Sequence, residues 1–336
     1  MKRTELCDIL QIQYPIVQAP MAWVATAELA AAVSQAGALG TLGPNAGMAT
    51  QSEAGNIEKA SSRLREQIRK ARTLTTKPFA INLLVGWGKQ RTISDRLVEV
   101  AIEEKIDIAV VTMGSPKAYT AILKERGIKV IHAVGTVEHA VKAEEHGVDA
   151  VVCEGYEGGG HIGGEELTTF VLVPQVVDAV RIPVIAGGGI ADGRGVVSAF
   201  ALGAKGVYLG TRFLASAECA AHPNAKKAVV DASDTSTVVF ARKTGISRCW
   251  KNKYTARHIE MESQGATFED LRDFERSSPA LLGWHRAPGA VIVGNIEEGV
   301  LAMGAVAGMI KEVVSAAEII REIVDQYDTI VKSIQL

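Results

Sequence analysis

IPVIAGGGIADGRGVVSAFALGAKGVYLGTRF, residues 182–213, contains one structural unit and the start of the next. An apolar run, IPVIAG (182–187), stops at a glycine turn. An amphipathic stretch, GVVSAFALG (195–203), follows. A second apolar run, KGVYLG (205–210), then ends at Gly210 and Thr211. Near-continuous apolar runs of this length suit parallel strands buried on both faces, with a helix crossing between them.

The same beat runs upstream. Apolar runs recur as YPIVQA (14–19), ALGTLG (38–43), FAINLL (79–84), IDIAVV (106–111), IKVIHAV (128–134) and VDAVVC (148–153). Helical grammar falls between several of them. TAELAAAVSQAG begins at Thr26, a good N-cap, and stops at Gly37; TVEHAVKAEEHG repeats the pattern from Thr136 to Gly147. Eight alternations predict an α/β fold, a (β/α)8 TIM barrel over residues 1–214. An open doubly wound sheet is the alternative. Residues 215–290 are more polar and predict a small, mostly helical subdomain or lid inserted against the barrel mouth. The stretches EEGVLAMGAVAGMI and SAAEIIREIVDQYDTIV predict C-terminal helices, within 291–336, that return to the barrel.

Composition narrows the function. Of 336 residues, 47% are hydrophobic and 22% charged, the balance of a soluble globular chain. The formal net charge of −2 gives no basic face for nucleic acid or an anionic membrane. No run approaches the length of a membrane span, and MKRTELCDIL lacks the apolar core of a secretory leader, so a cytoplasmic location is expected. Cys7, Cys153, Cys219 and Cys249 lie far apart, which predicts isolated thiols; no metal-ligand cluster is apparent.

In a barrel of this kind, chemistry gathers where strands end at their C-termini. Gly187, Gly188 and Gly189 follow the seventh run; Gly210 and Thr211 follow the eighth. Bare backbone N–H groups in these two loops form the barrel's usual phosphate site. No GxGxxG follows the first run, so a dinucleotide site has no support, and there is no P-loop. A mononucleotide with one phosphate fits, and flavin mononucleotide (FMN) is the commonest such cofactor in a barrel.

The sixth run opens into EGYEGGGHIGG, Glu154–Gly164. Glycines such as Gly160 let this loop lie against a planar ring. His161, almost alone among them, has little packing to join, so it is the candidate proton donor or acceptor. Tyr156 and Glu157 are secondary candidates; Glu157 is either a surface carboxylate or a partner for His161.

Together, QAPMAWVATAELAAAVSQAGALGTLG (18–43), GGGHIG, IPVIAGGGIADGRG, GVYLGTRF and the later GAVIVGNIEEGVLAMGAVAG resemble the nitronate monooxygenase family, which includes the FMN-dependent type II enoyl-acyl-carrier-protein reductases. The resemblance implies a barrel with FMN over its C-terminal mouth. It places Ala19, Pro20, Met21 and Ala22 along the flavin edge, and Asn82 and Glu154 on its polar edge or ribityl chain. His161 would face the substrate. Ala305 stands where many reductase relatives carry glutamine. The resemblance implies NADH or NADPH as electron donor and an enoyl thioester as substrate. Alternatives are an alkyl nitronate oxidised with O2 to a carbonyl compound and nitrite, or a quinone. Trp23 and GGGHIG look like the reductase branch, whereas His132 and KAEEHG look like the nitronate oxidisers. By analogy a homodimer is expected. A different class, a phosphate-ligand-binding barrel without flavin, stays open.

Overall fold

The computed structural model describes residues 1–86, 88–277 and 289–334. All eight apolar runs form parallel strands: β1 (Ile16–Gln18), β2 (Gly40–Leu42), β3 (Phe79–Leu84), β4 (Ile108–Thr112), β5 (Lys129–Val134), β6 (Ala150–Glu154), β8 (Val184–Gly187) and β9 (Gly206–Leu209). Their order, β1-β9-β8-β6-β5-β4-β3-β2, brings the first two strands to opposite ends of one sheet. That sheet closes on itself through the parallel bridge Val17–Leu39. At this seam the ladder is short, and a side chain extends it. The buried amide of Gln18 accepts from Thr41 N–H at 2.8 Å and donates to the Ala19 carbonyl. The fold is a (β/α)8 barrel.

Period-two alternation sorts each strand's side chains. Val17, Leu39, Val110, Ile131, Val152 and Ile185 fill the barrel interior. The helix Glu5–Leu10 plugs its base with Leu6 and Leu10. Residues of opposite parity, such as Ile16, Leu42, Ile81 and Val151, face the surrounding helices.

The eighth helix of the barrel is Ala316–Ile334. It packs against the helices Gly193–Ala201 and Ala27–Gln35. Gln326 Oε1 accepts from Gly193 N–H at 2.7 Å, and Tyr327 meets Phe200 edge-on at 5.6 Å. The excursion therefore lies inside the last strand–helix unit, between β9 and its helix.

Within that excursion are the helices Pro223–Val230, Lys253–Ser263 and Phe268–Ser277. It also holds two strands absent from the sequence reading, β10 (Thr237–Phe240) and β11 (Ser247–Trp250). These form an antiparallel hairpin, and β11 pairs in turn with β7 (Gly160–His161). Residues 278–288 of the expected lid lie outside the described residues. One expectation is corrected. EEGVLAMGAVAGMI is not a helix: only Ala305–Met309 makes a 3-10 turn, and the rest crosses the mouth as irregular chain. Its small residues serve close backbone approaches instead. A Cβ at Gly304 would stand 2.8 Å from the Glu157 carbonyl oxygen.

Candidate active site

The alternation that fills the barrel also sets its mouth. Inward positions at the C-terminal strand ends are Ala19, Asn82, Thr112, Glu154 and Gly187. Glu154 and Gly187 are register partners. Ala19 N–H donates to the Leu209 carbonyl at 2.8 Å, which brings it beside Gly210. Asn82 is buried; its amide donates to the Val110 carbonyl at 2.9 Å and to Thr112 Oγ1 at 3.1 Å. These two hydrogen bonds fix its orientation.

Glu154 is half-buried at the floor of the mouth. Desolvation pushes its carboxyl up to about 7. Among the described residues it has no hydrogen-bond partner. Buried Tyr208 lies nearby, and its hydroxyl is pushed well up by burial and then by the Glu154 charge. A deep carboxyl without a partner is costly. It suits a ligand that brings an N–H or O–H donor.

Pro20, Met21 and Ala22 follow β1 in a loop held against the β2 loop. Met21 O accepts from Ala25 N–H at 3.0 Å, and Trp23 N–H donates to Pro44 O at 2.7 Å. Trp23 is buried and left-handed, with φ +73°, a strained conformation that the clamp maintains. The loop offers a small, largely apolar surface.

The two glycine loops differ in what surrounds them. Gly188 has φ +87°, and a Cβ there would stand 2.8 Å from Gly155 O and 3.0 Å from Thr169 Oγ1. At Gly210 an added Cβ meets, among the described residues, only Ala19 Cβ, at 3.6 Å. The helix Gly193–Ala201 is already capped by Asp192, which accepts from Arg194 and Gly195 N–H groups at 2.9 and 3.3 Å. The short turn Thr211–Leu214 has no side-chain cap. Thr211 Oγ1 accepts from Gly304 N–H at 2.9 Å and keeps its own proton to donate.

The loop after β6 spans the mouth. Gly163 contacts Gly135 at the end of β5, while Gly159 lies against Met303 and Gly304 near the end of β9. Glu157 is half-buried and turns back onto the chain that follows its loop. It caps the helix Thr169–Ala179, accepting from Thr169 N–H at 2.9 Å and Thr169 Oγ1 at 3.0 Å. Tyr156 ties the loop to the hairpin: Arg242 donates to its hydroxyl at 3.1 Å, and Arg248 lies 5.2 Å over its ring. His161 is exposed on β7, opposite Ser247 of β11. Gly160 is opposite Arg248 in the same ladder.

His132 belongs elsewhere. Its outward parity on β5 packs it into the barrel wall, where Nε2 meets Gly114 O at 3.2 Å and burial pushes its pKa down to about 4. All four cysteines are buried and free. Sequence reasoning missed Thr169, whose hydroxyl is within 3.1 Å of both Gly187 O and Gly188 O and whose N–H binds Glu157, so that it links the loop after β8 to the loop after β6. Its place as the first residue of a helix following the loop is the only clue the sequence offers.

A parallel barrel that gathers a carboxyl, an amide, an imidazole and two glycine loops at the C-terminal mouth has the layout of a barrel enzyme. The sequence model for nitronate monooxygenase matches residues 3–326, and the chain belongs to that family. It is an oxidoreductase of a flavin-using family. Among solved structures, FabK from Thermotoga maritima superposes with a TM-score of 0.87 at 39% identity, covering 100% of this chain and 99% of that one. A Mycobacterium tuberculosis protein, (3aS,4S,5R,7aS)-5-hydroxy-7a-methyl-1-oxo-octahydro-1H-indene-4-carboxyl-CoA dehydrogenase, is 33% identical over 96% of this chain and 95% of its own. A probable nitronate monooxygenase of Staphylococcus saprophyticus is 37% identical over 72% of this chain and 76% of its own.

Proposed function

We propose that the protein is an FMN-dependent reductase that takes electrons from NADH or NADPH and saturates the activated double bond of an enoyl thioester. Glu154 is the observation that carries the flavin assignment. Its partnerless, desolvated carboxyl fits the N–H-bearing edge of an isoalloxazine. Ala19, Pro20, Met21 and Ala22 would lie along the ring, with Asn82 at its polar side. The open backbone at Gly210, with Thr211 and the Gly187–Gly189 turn, would take the phosphate. Gly160 would let the β6 loop approach the ring.

FMN, when bound, supplies the two-electron exchange between donor and acceptor. His161 supplies the proton side. Its imidazole would hydrogen-bond the thioester carbonyl, stabilise the charge that develops there and donate a proton to the α-carbon. The M. tuberculosis relative, whose name is that of a carboxyl-CoA dehydrogenase, supports redox chemistry on a CoA thioester. The staphylococcal relative's name favours a second reading, in which His161 holds an alkyl nitronate during oxidation with O2.

Anaerobic mixing separates the readings. Loss of flavin colour with NADH or NADPH, and its return on adding an enoyl thioester, is the expected result. Colour lost to a nitronate but to neither nicotinamide would overturn the reductase. A protein that takes up no FMN would overturn the flavin reading and leave a phosphate-ligand barrel.

A further inference from the structure

The hairpin beside His161 is held by a buried ionic row. Between β10 and β11 the chain turns sharply: Thr244 and Gly245 N–H groups both donate to Ala241 O, at 3.1 and 2.8 Å. The turn meets the imidazole directly. A Cβ at Gly245 would stand 3.5 Å from His161 Nε2. Immediately afterwards, Ile162 N–H donates to Ile246 O at 3.2 Å and Ser247 pairs with His161.

Two carboxylates from two helices grip this turn. Glu262 Oε1 accepts from Lys243 N–H at 3.2 Å, and Glu275 Oε1 accepts from Thr244 Oγ1 at 2.6 Å. His258, with no exposed surface, stands between them, 3.7 Å from Glu262 and 3.3 Å from Glu275. Arg272 completes the grip on Glu275 at 3.0 Å. Phe240, Tyr254 and Phe274 enclose the row; the Phe240 ring is 5.3 Å from that of His258. Burial alone would push the Glu275 carboxyl up, but hydrogen bonds from His258 and Thr244 and the Arg272 charge outweigh it and leave it lowered.

A buried ionic row is a poor source of stability, because desolvating its charges offsets most of their attraction. What it does supply is direction: each hydrogen bond fixes one atom. Here both carboxylates end on consecutive residues of the turn that walls His161.

We propose that Glu275 and Thr244, braced by His258, are positioning residues that hold the β10–β11 turn and thereby set the orientation of the His161 imidazole. The inference rests on the reading of His161 as the proton-handling group, and its test is chosen to stand apart from that reading. In the FMN-loaded enzyme, Thr244→Val removes the hydroxyl at nearly constant shape, and Thr244→Ser keeps it. Thr244→Val is expected to slow the substrate half-reaction about 10–100-fold, the scale of a small misplacement at a reacting centre. Reduction by NAD(P)H should stay within about twofold. The His161 imidazole resonances should shift and broaden, and Thr244→Ser should restore both rate and spectrum. A Thr244→Val enzyme that melts like the wild type and keeps its His161 resonances in place overturns the proposal. Should Thr244→Val fail to fold, Glu275→Gln replaces it: moved His161 resonances support the brace, and unmoved ones overturn it. If His161→Ala leaves the substrate step intact, the reading of His161 falls, while the resonances still decide the brace.

Discussion

Two runs of three glycines, 158–160 and 187–189, look alike in sequence and sit in different surroundings. The first is a packing device. Gly159 fits between Met303 and Gly304, where a Cβ would be 2.5 Å from a backbone nitrogen. The run leads straight into a strand that presents one side chain, His161. The second run presents no side chain. It turns the chain out of β8 and is held from behind by the Thr169 hydroxyl. Glycine thus has two uses at one mouth: letting backbones touch, and leaving backbone groups bare.

His161→Ala strikes the one side chain that the first loop presents, and it should have the largest effect. The substrate half-reaction should fall about 10²–10⁴-fold, the usual contribution of a positioned acid or base. NAD(P)H reduction should change far less, and stopped-flow measurement of each half shows the split. Equal losses would make His161 a shaping residue.

Gly159→Ala attacks the packing use. With backbone on two sides, the chain must shift, and a loss of about 3 kcal/mol is expected in denaturant unfolding. Gly210→Asp attacks the other use. Among the described residues only Ala19 Cβ lies near that position, so the fold should hold. A carboxylate beside the phosphate should weaken FMN binding by about 2 kcal/mol, near thirtyfold, read by flavin titration. A Gly210→Asp protein that binds FMN normally would remove the phosphate assignment.

The smallest effect concerns the floor between the two loops. The Glu154 carboxyl sits near 4.5 when unfolded and about 7 when folded. Between those values the native state holds more protons than the unfolded state, so stability falls as pH rises through that window. In flavin-free protein, Glu154→Gln should remove this fall and gain about 1–2 kcal/mol at pH 8, with no gain at pH 4. Equal melting of variant and wild type at both pH values would show that the carboxyl is well solvated.

The eight strands were legible because burial on both faces forces near-continuous apolar runs, and FAINLL became β3 to the residue. Ala19, Asn82 and Glu154 were singled out by the family resemblance and not by spacing; in the fold, period two carries all three inward. The hairpin was not legible. TVVF and SRCW are four residues each, and the pairing of SRCW with Gly160–His161 spans most of a hundred residues of chain. Nor was Glu157's role: capping the Thr169 helix depends on how the loop folds back, which spacing does not encode. The run around GAVAG misled for a physical reason. Small residues mark close approach, and close approach of a helix reads the same in sequence as close approach of an irregular strap.

The late position of the eighth helix has a consequence during synthesis. Ala316–Ile334 covers the side of the barrel next to Ala27–Gln35, yet it is made roughly 280 residues after Gln35. At ~5–20 residues per second, the early helix waits roughly 14–56 s for its neighbour. Throughout that interval Leu29 and Val33 belong to a core whose last wall has not emerged from the ribosome. The nascent chain must either keep that face covered by other means or hand it to a chaperone, and a stalled ribosome would release a barrel with an apolar gap along one side.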